Sequence, residues 1–485
     1  MSLRIALLAA EATPFCKTGG LADVVGALAV HLHRAAHDVR LFIPGYAAID
    51  RQRFGSAPVP GLSHLTVALG PHRYVFAVEQ LRLPDTQVPV YLFDCPVLYG
   101  RPALYTTDPD EHLRFLAFTR AALLACAPLG FAPQIVHCND WHTAFAPLLL
   151  RAQFAAEPAF AATRTVLTIH NIGYQGIFAA AAAGDLGLGD QGYLLHQDEL
   201  RAGRINPLRH GILYADALTT VSPTHAREIC TDEYGMGLQD SLRARARDLT
   251  GILNGVDYAV WDPRNDPYLP QHFDPEHLGV KGELKRAFLA RMGFSTGARV
   301  PLAGIVSRLA QQKGIDLMMA ALPNLLAQRE WALMALGAGD APYERFFAEL
   351  AARFPGRVLF ERGYDEALAH WIEATSDLFL MPSRYEPCGL NQMYSLRYGT
   401  VPIVRRTGGL ADSVAHYDPA SGAGTGVVFN DFDAPALAWA LDTALDWYAQ
   451  PRLWRRLMTN GMAQDFSWTR QCQQYLDIYR RLSGA

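Results

Sequence analysis

The chain is 485 residues long and half apolar, enough for two large α/β domains or about three smaller ones, each with a sizeable core. Its 43 Lys and Arg against 47 Asp and Glu leave a net charge of −4 with no like-charge run, which excludes a basic face for nucleic acid or an anionic membrane. No apolar run is long enough to span a bilayer, and seven scattered cysteines with no CxxC pair suit a reducing compartment better than a disulfide framework. The N-terminus enters its first strand at once, with no signal or transit segment, so a soluble cytoplasmic protein is expected.

The apolar run Leu3 to Ala10 reads as a buried strand. From Leu21 the spacing changes: Leu21, Val24, Val25, Leu28 and Leu32 form one apolar stripe of a helix. Between the two lies Lys17-Thr18-Gly19-Gly20, where bare glycine backbone and the free amides of a helix start suit an anion, with Lys17 adding a full charge. A plain tight turn is the alternative. Thr407-Gly408-Gly409-Leu410-Ala411-Asp412-Ser413-Val414 repeats Thr18 to Val25 with one mismatch, again after an apolar run. Two such turns, one in each half, suggest two α/β units facing a shared ligand.

Short β-rich runs alternate with helical patterns throughout: Val39–Ile43, Tyr74–Val78, Val88–Phe93, Ile135–His137, Thr165–Ile169 and Leu218–Val221, then Leu302–Val306, Ala332–Leu336, Val358–Phe360, Leu378–Met381, Val401–Val404 and Gly426–Phe429. This rhythm predicts parallel sheets covered by helices on both faces, with ligands at the carboxyl ends of the strands. Polar clusters occupy those ends: Asp140-Trp141-His142, His170-Asn171 and Ser307-Arg308. The Pro-rich stretch between Leu249 and Tyr268 reads as a linker, and Trp468 to Leu482 as a closing helix. The expected domains are 1–250, completed by 466–485, and 251–465.

Arg308 and Lys313 flank a strand-to-helix turn, where a diphosphate would meet a guanidinium fork, an ammonium and the helix dipole; the alternative is two solvated cations. Arg384-Tyr385-Glu386-Pro387-Cys388-Gly389-Leu390-Asn391 makes a sharp turn that presents Glu386 and a row of amides, either to a ligand or as an acidic cap. Cys388 reads as a small buried side chain rather than a nucleophile. His170 is either a satisfied core residue or part of a ligand-facing turn with Asn171. The carboxylates of Asp108-Pro109-Asp110-Glu111 and Asp431-Phe432-Asp433 read as helix caps, with Asp108 at the cap position of the first, so no metal is expected. Gly337-Ala338-Gly339 lacks the third glycine of a dinucleotide fingerprint, since Pro342 stands there.

Taken together, Lys17-Thr-Gly-Gly-Leu, Asp140-Trp-His, His170-Asn171, Asn254-Gly-Val-Asp257, Ser307-Arg308-Leu with Gln312-Lys313-Gly, Glu386-Pro-Cys-Gly-Leu and Thr407-Gly-Gly-Leu resemble bacterial glycogen synthase and plant starch synthase, retaining glucosyltransferases of the GT-B fold. The likeness runs nearly end to end, to Asp465-Phe466-Ser467-Trp468. It implies an α/β protein of two Rossmann-like domains with parallel sheets flanking a deep interdomain cleft. It implies ADP-glucose as donor, the non-reducing end of an α-1,4-glucan as acceptor, and neither cofactor nor metal.

By position, the resemblance implies that Lys17, Gly19, Arg308 and Lys313 hold the donor diphosphate, with Thr18, Gly20, Thr407, Gly408 and Gly409 in the same glycine turns. His170 and Asn254 face the transferred glucose, and Asn171 is a further substrate-binding candidate beside His170. Glu386 binds the glucose hydroxyls, Cys388, Gly389 and Leu390 line the turn, and Asp140 and Glu11 lie toward glucose and acceptor. Base choice rests on contacts around Tyr364. The chain departs from the family in two places. Tyr394 stands where the wider retaining group often has a second glutamate, and Asn206-Pro207-Leu208-Arg209-His210-Gly211 replaces Asn-Phe-x-Lys-Gly-Gly. Retention is expected by front-face attack, with the leaving phosphate oxygen taking the acceptor proton. A UDP-glucose enzyme and a non-catalytic glucan-binding protein are the alternatives, and neither oligomeric state nor regulation is legible.

Overall fold

The computed structural model describes residues 2–484 and divides into two compact units. The first comprises 1–221, 226–252 and 468–485; the second comprises 222–225 and 253–467.

Among the described residues the first unit holds a ten-stranded sheet. Seven strands run parallel in the order Leu249–Gly251, Ala217–Thr220, Arg164–Ile169, Ile135–Asn139, Arg4–Leu8, Asp38–Pro44 and Pro89–Asp94. Their apolar residues are buried almost without alternation, as expected where both sheet faces are covered. The wholly parallel expectation fails at one edge. His72–Arg82 runs antiparallel to Pro89–Asp94 and forms a hairpin with Leu65–Leu69. Gly70, at φ +52°, sits in the two-residue turn of that hairpin, and a tight turn allows only antiparallel pairing.

Helix Gly20–Arg34 buries the stripe Leu21, Val24, Val25, Leu28 and Leu32 against this sheet. The final helix, Trp468–Ser483, completes the same core with Trp468, Cys472, Tyr475, Leu476 and Tyr479. Tyr479 Oη lies 2.6 Å from His137 Nδ1 inside it. The expected cap at Asp108 is not formed. Helix Glu111–Cys126 has Asp110 at its cap position with no side-chain cap bond. Asp108 and Asp110 instead both accept from Arg101 Nη1, at 2.7 and 2.9 Å. A guanidinium reached by two carboxylates outweighs one backbone amide, because charge-assisted hydrogen bonds are about twice as strong.

The second unit has, among the described residues, a six-stranded all-parallel sheet. Its order is Val358–Arg362, Ala332–Gly337, Leu302–Val306, Leu378–Met381, Val401–Arg405 and Val427–Phe429. Counted along this unit alone, that is the doubly wound order 3-2-1-4-5-6, whose direction reverses between Leu302–Val306 and Leu378–Met381. The first unit reverses likewise beside Arg4–Leu8, with Asp38–Pro44 on one side and Ile135–Asn139 on the other. Open α/β sheets bind ligands beyond the carboxyl ends of strands at such reversals.

Gly337 and Gly339 serve packing. A Cβ on either would stand 2.2 Å from a backbone oxygen, of Ser307 or Leu309 respectively. The second acidic cap does form, with Asp433 accepting from Ala436 N at 2.8 Å ahead of helix Ala434–Tyr448.

Candidate active site

At the first unit's reversal point, Arg4–Leu8 leads to Glu11 and Ile135–Asn139 leads to Asp140. Glu11 is buried and accepts from Thr18 N at 2.5 Å and Thr18 Oγ1 at 2.9 Å, so it ties down the loop that carries Gly19 and Gly20. Burial raises its pKa, against the lowering effect of those bonds and one from Tyr105. Gly19 is the cap residue of helix Gly20–Arg34, with no side-chain cap bond. A Cβ on Gly19 would come no nearer than 4.0 Å to anything, and one on Gly20 would meet nothing. No protein group requires glycine at either place, and the helix amides are left bare. Lys17, half exposed, rests on Asp23 at 2.8 Å.

Asp140 has φ +54°, a left-handed backbone that a non-glycine residue seldom adopts and that concentrates at functional sites. Its Oδ1 accepts from His170 N at 2.7 Å and Asn171 N at 3.4 Å, which bends the His170 turn around the carboxylate. Burial pushes this carboxyl up to about 7 despite those bonds. Asn139 decides the tautomer of His170. Its Nδ2 donates to Leu8 O at 3.0 Å, so its Oδ1 faces His170 Nε2 at 2.9 Å, and Nε2 carries the proton. His170 Nδ1 is then the ring's acceptor. Burial lowers the imidazole to about 3, so it is neutral near pH 7.

In the second unit, Arg308 follows Leu302–Val306 and Glu386 follows Leu378–Met381, the two strands at the reversal. Lys313 ends a short 3-10 turn, Gln311–Lys313, ahead of helix Ile315–Gln328. Its Nζ lies 2.6 Å from Glu386 Oε2, which also accepts from Ser383 Oγ at 3.1 Å. Arg308 is exposed, and its side chain has no hydrogen bond or ion pair among the described residues. The loop thus pairs one cation with a carboxylate and leaves another unneutralised.

Cys388 is buried, its thiol is pushed up to about 12 by desolvation, and its Sγ accepts from Asn254 N at 3.4 Å. Asn254 Oδ1 is buried and meets no donor among the described residues, as expected of a group awaiting a ligand. Gly389, at φ +73°, turns the loop, and Leu390 caps helix Asn391–Arg397. Tyr364 is exposed beyond strand Val358–Arg362, and its hydroxyl donates to Glu366 Oε2 at 3.3 Å.

The second glycine pair differs from the first. Gly408 and Gly409 are buried, as is Thr407, and Cβ atoms there would stand 1.9 Å from Glu386 O and 2.1 Å from Cys388 O. Gly409 N donates to Glu386 O at 3.0 Å. This pair is the floor on which the Glu386 loop lies, backbone against backbone.

Sequence reasoning missed Asn139 and Ser383, whose only signal was a polar residue near the end of an apolar run, and Tyr105, which bonds Glu11 from a loop that gave no signal. It also missed the role of Tyr394, whose ring stacks on Trp261 at 4.1 Å and 1°. Trp261 in turn stacks on His370 at 3.7 Å. Arg209, at the second departure from the family pattern, lies 3.1 Å from Glu199 and donates to Ser241 Oγ at 2.8 Å. Asn206 caps helix Pro207–Tyr214 by accepting from Arg209 N at 3.1 Å.

The starch synthase catalytic domain model matches residues 4–244, and the glycosyl transferases group 1 model matches 296–457. The chain is 46% identical to the glycogen synthase of Anaeromyxobacter dehalogenans (strain 2CP-C), over 99% of this chain and 100% of that one. It is 42% identical to the glycogen synthase of Syntrophotalea carbinolica over 99% of both. Among solved structures it matches the catalytic domain of starch synthase IV from Arabidopsis thaliana, bound to ADP and acarbose, with TM-score 0.92, 34% identity and full coverage of both chains. A sucrose-phosphate synthase from Thermosynechococcus elongatus shares the fold at TM-score 0.62 and 19% identity over 99% of each chain. The chain is a GT-B glycosyltransferase and belongs to the glycogen and starch synthase family.

Proposed function

We propose that this chain transfers glucose from ADP-glucose to the non-reducing end of an α-1,4-glucan with retention of configuration. The observation that carries the reading is the placement of Arg308, Lys313 and Glu386 at the second sheet's reversal point. The ADP and acarbose bound to the Arabidopsis relative support the substrate classes.

Breaking the glucose–phosphate bond leaves negative charge on the departing diphosphate. Arg308 offers an unpaired guanidinium fork to it. Lys313 has three N–H donors; Glu386 takes one, and the others reach phosphate and orient with it. These donors are in place before the charge develops, which makes them effective in the transition state. The bare amides above Glu11, with Lys17, form a second phosphate cradle in the first unit. Asn254 Oδ1 and the accepting Nδ1 of His170 take sugar hydroxyls, and Asp140 holds the His170 turn in position.

Protonation limits the mechanisms. Neutral His170 cannot act as an acid toward the leaving phosphate, and the Cys388 thiol is no nucleophile. Burial biases Asp140 and Glu11 toward their neutral forms, which disfavours either as a covalent nucleophile. The reading is therefore front-face attack: the acceptor hydroxyl adds to the anomeric carbon on the face the phosphate leaves, and the leaving oxygen takes its proton. No cofactor takes part, and the cations of the protein carry the diphosphate charge.

The test offers ADP-glucose and UDP-glucose separately with glycogen, with and without EDTA, and measures diphosphate release and glucan growth. ADP release with glucan extension, unchanged by EDTA, is expected. Turnover of UDP-glucose alone, hydrolysis without extension, or a rate lost to EDTA and restored by Mg²⁺ would each refute the corresponding part.

A further inference from the structure

The second unit contains a cavity of about 480 Å³ that plays no part in the proposed reaction. Arg299 and Asp377 line it, just before the amino ends of strands Leu302–Val306 and Leu378–Met381. Arg308 and Glu386 follow the carboxyl ends of the same parallel strands, so the cavity is at the opposite end of this sheet.

The cavity carries a cationic surplus that rests on its arginines, because burial lowers the Lys281 ammonium to about 7 and Lys285 is paired with Asp377. One wall is the amino-terminal half of helix Gly279–Met292, with Lys281 and Lys285, and Arg299 and Arg455 stand at its rim. Lys285 Nζ is held by Asp377 at 2.5 Å, Val300 O at 2.7 Å and Tyr448 Oη at 3.4 Å. Lys281 Nζ donates to Thr400 Oγ1 at 2.7 Å, Ala374 O at 2.9 Å and Glu373 O at 3.4 Å. The lysines are therefore anchored, and Asp377 is the one carboxylate in the lining. Arg299 and Arg455 are exposed, and their side chains carry no ion pair or hydrogen bond among the described residues. The helix has no acid in its first turn and no side-chain cap, so its positive end adds to the surplus.

Two unpaired guanidinium groups at one opening match the oxygens of a phosphate. Behind them Tyr448 and Trp454, packed edge to face at 5.2 Å and 75°, form an apolar aromatic corner against which a sugar ring can rest, and the volume lies in the range of small-ligand sites. We propose that this cavity is a second binding site, for a phosphorylated monosaccharide, independent of the donor residues.

The test is calorimetric titration of the full chain with a hexose monophosphate, its parent hexose, and inorganic phosphate at matched ionic strength. Three proteins are compared: the unaltered chain, the double variant Arg299→Ala/Arg455→Ala, and Arg308→Ala. Both rim arginines are exposed and unpaired, so the double variant should fold. Binding of the monophosphate with one-to-one stoichiometry is expected in the unaltered chain and in Arg308→Ala. In the double variant it should weaken by about tenfold or more, the effect of losing charge-assisted hydrogen bonds. Absence of binding, equal binding by the double variant, or loss in Arg308→Ala would overturn the site. Equal affinity for inorganic phosphate and the hexose monophosphate would overturn the sugar part of the assignment.

Discussion

The ammonium of Lys313 lies 2.6 Å from the carboxylate of Glu386, 73 residues further along the chain. The two meet because strands Leu302–Val306 and Leu378–Met381 are neighbours, joined in register at Ala303 and Leu378. Exposed Arg308 and paired Lys313 should therefore fail differently when removed. Arg308→Ala and Lys313→Ala are each expected to lower kcat/KM by about 10²–10³, the usual effect of losing one preorganised donor. Only Lys313→Ala should also lower Tm, since it leaves Glu386 buried without its partner. Lys313→Ala/Glu386→Gln should regain stability but not rate. Steady-state kinetics beside thermal unfolding separate these outcomes, and wild-type turnover by either single variant would remove the assignment.

The two glycine turns should respond in opposite ways. Gly19→Ala places a methyl group in open space, so stability should change by less than about 1 kcal/mol while donor KM rises or kcat falls. Gly409→Ala drives a methyl group into Cys388 O and should cost about 1–3 kcal/mol or more. Urea unfolding of the two variants checks this. A stable, fully active Gly409→Ala protein would contradict the floor described for the Glu386 loop.

Stability should depend on pH with two opposed signs. His137, His142 and His170 are each held near 3 by burial, against 6.5 when unfolded. Their contribution is present above pH 6.5 and is lost as pH falls toward 3, by roughly 1.4 kcal/mol per pH unit for each. Asp140 works the other way. Raised to about 7 from 3.8, it favours the fold at low pH and loses that contribution as pH rises from about 4 to 7. Asp140→Asn keeps an oxygen for His170 N and should gain stability over the unaltered chain at pH 8 but not at pH 4. His137→Gln should flatten the loss between pH 6.5 and 5. Urea midpoints across pH 4–8 decide both, and parallel curves for all three proteins would count against these shifts.

Cys388 should be chemically silent. With its thiol pushed up to about 12 and its sulfur facing Asn254 N, it is expected to resist alkylation in the folded protein. Cys388→Ala should retain activity within about tenfold, because no covalent step passes through it. Rapid, stoichiometric inactivation by iodoacetamide that maps to this residue would overturn that reading.

Much of the architecture was legible because period and composition change sharply. The strand expected at Leu302–Val306 is formed by those residues, and the stripe from Leu21 to Leu32 is buried as a helix face. The antiparallel edge was less visible, since a strand such as Tyr74–Val78 reads the same whichever way its neighbour runs. At the candidate site, Arg308 and Glu386 stood out because strand ends in an α/β sheet are where ligands bind. Their partners were not. That Lys313 meets Glu386, or that Asn139 fixes the His170 proton, depends on which strands are adjacent, and sheet order is not written in local spacing. The repeated Thr-Gly-Gly-Leu shows the limit most clearly: the same letters leave open space at Gly19 and touch backbone at Gly409.

The helix Trp468–Ser483 belongs to the core of the first unit, with Tyr479 against His137. On the ribosome, the portion made earliest therefore waits longest for its last piece, which emerges only after the whole second unit has been synthesised. Until then the surface this helix will cover, including Tyr475 and Leu476 contacts, has no native cover. Loss of this helix should accordingly expose the early part of the polypeptide to proteases and holdase chaperones during translation, although the missing residues are encoded far downstream of it.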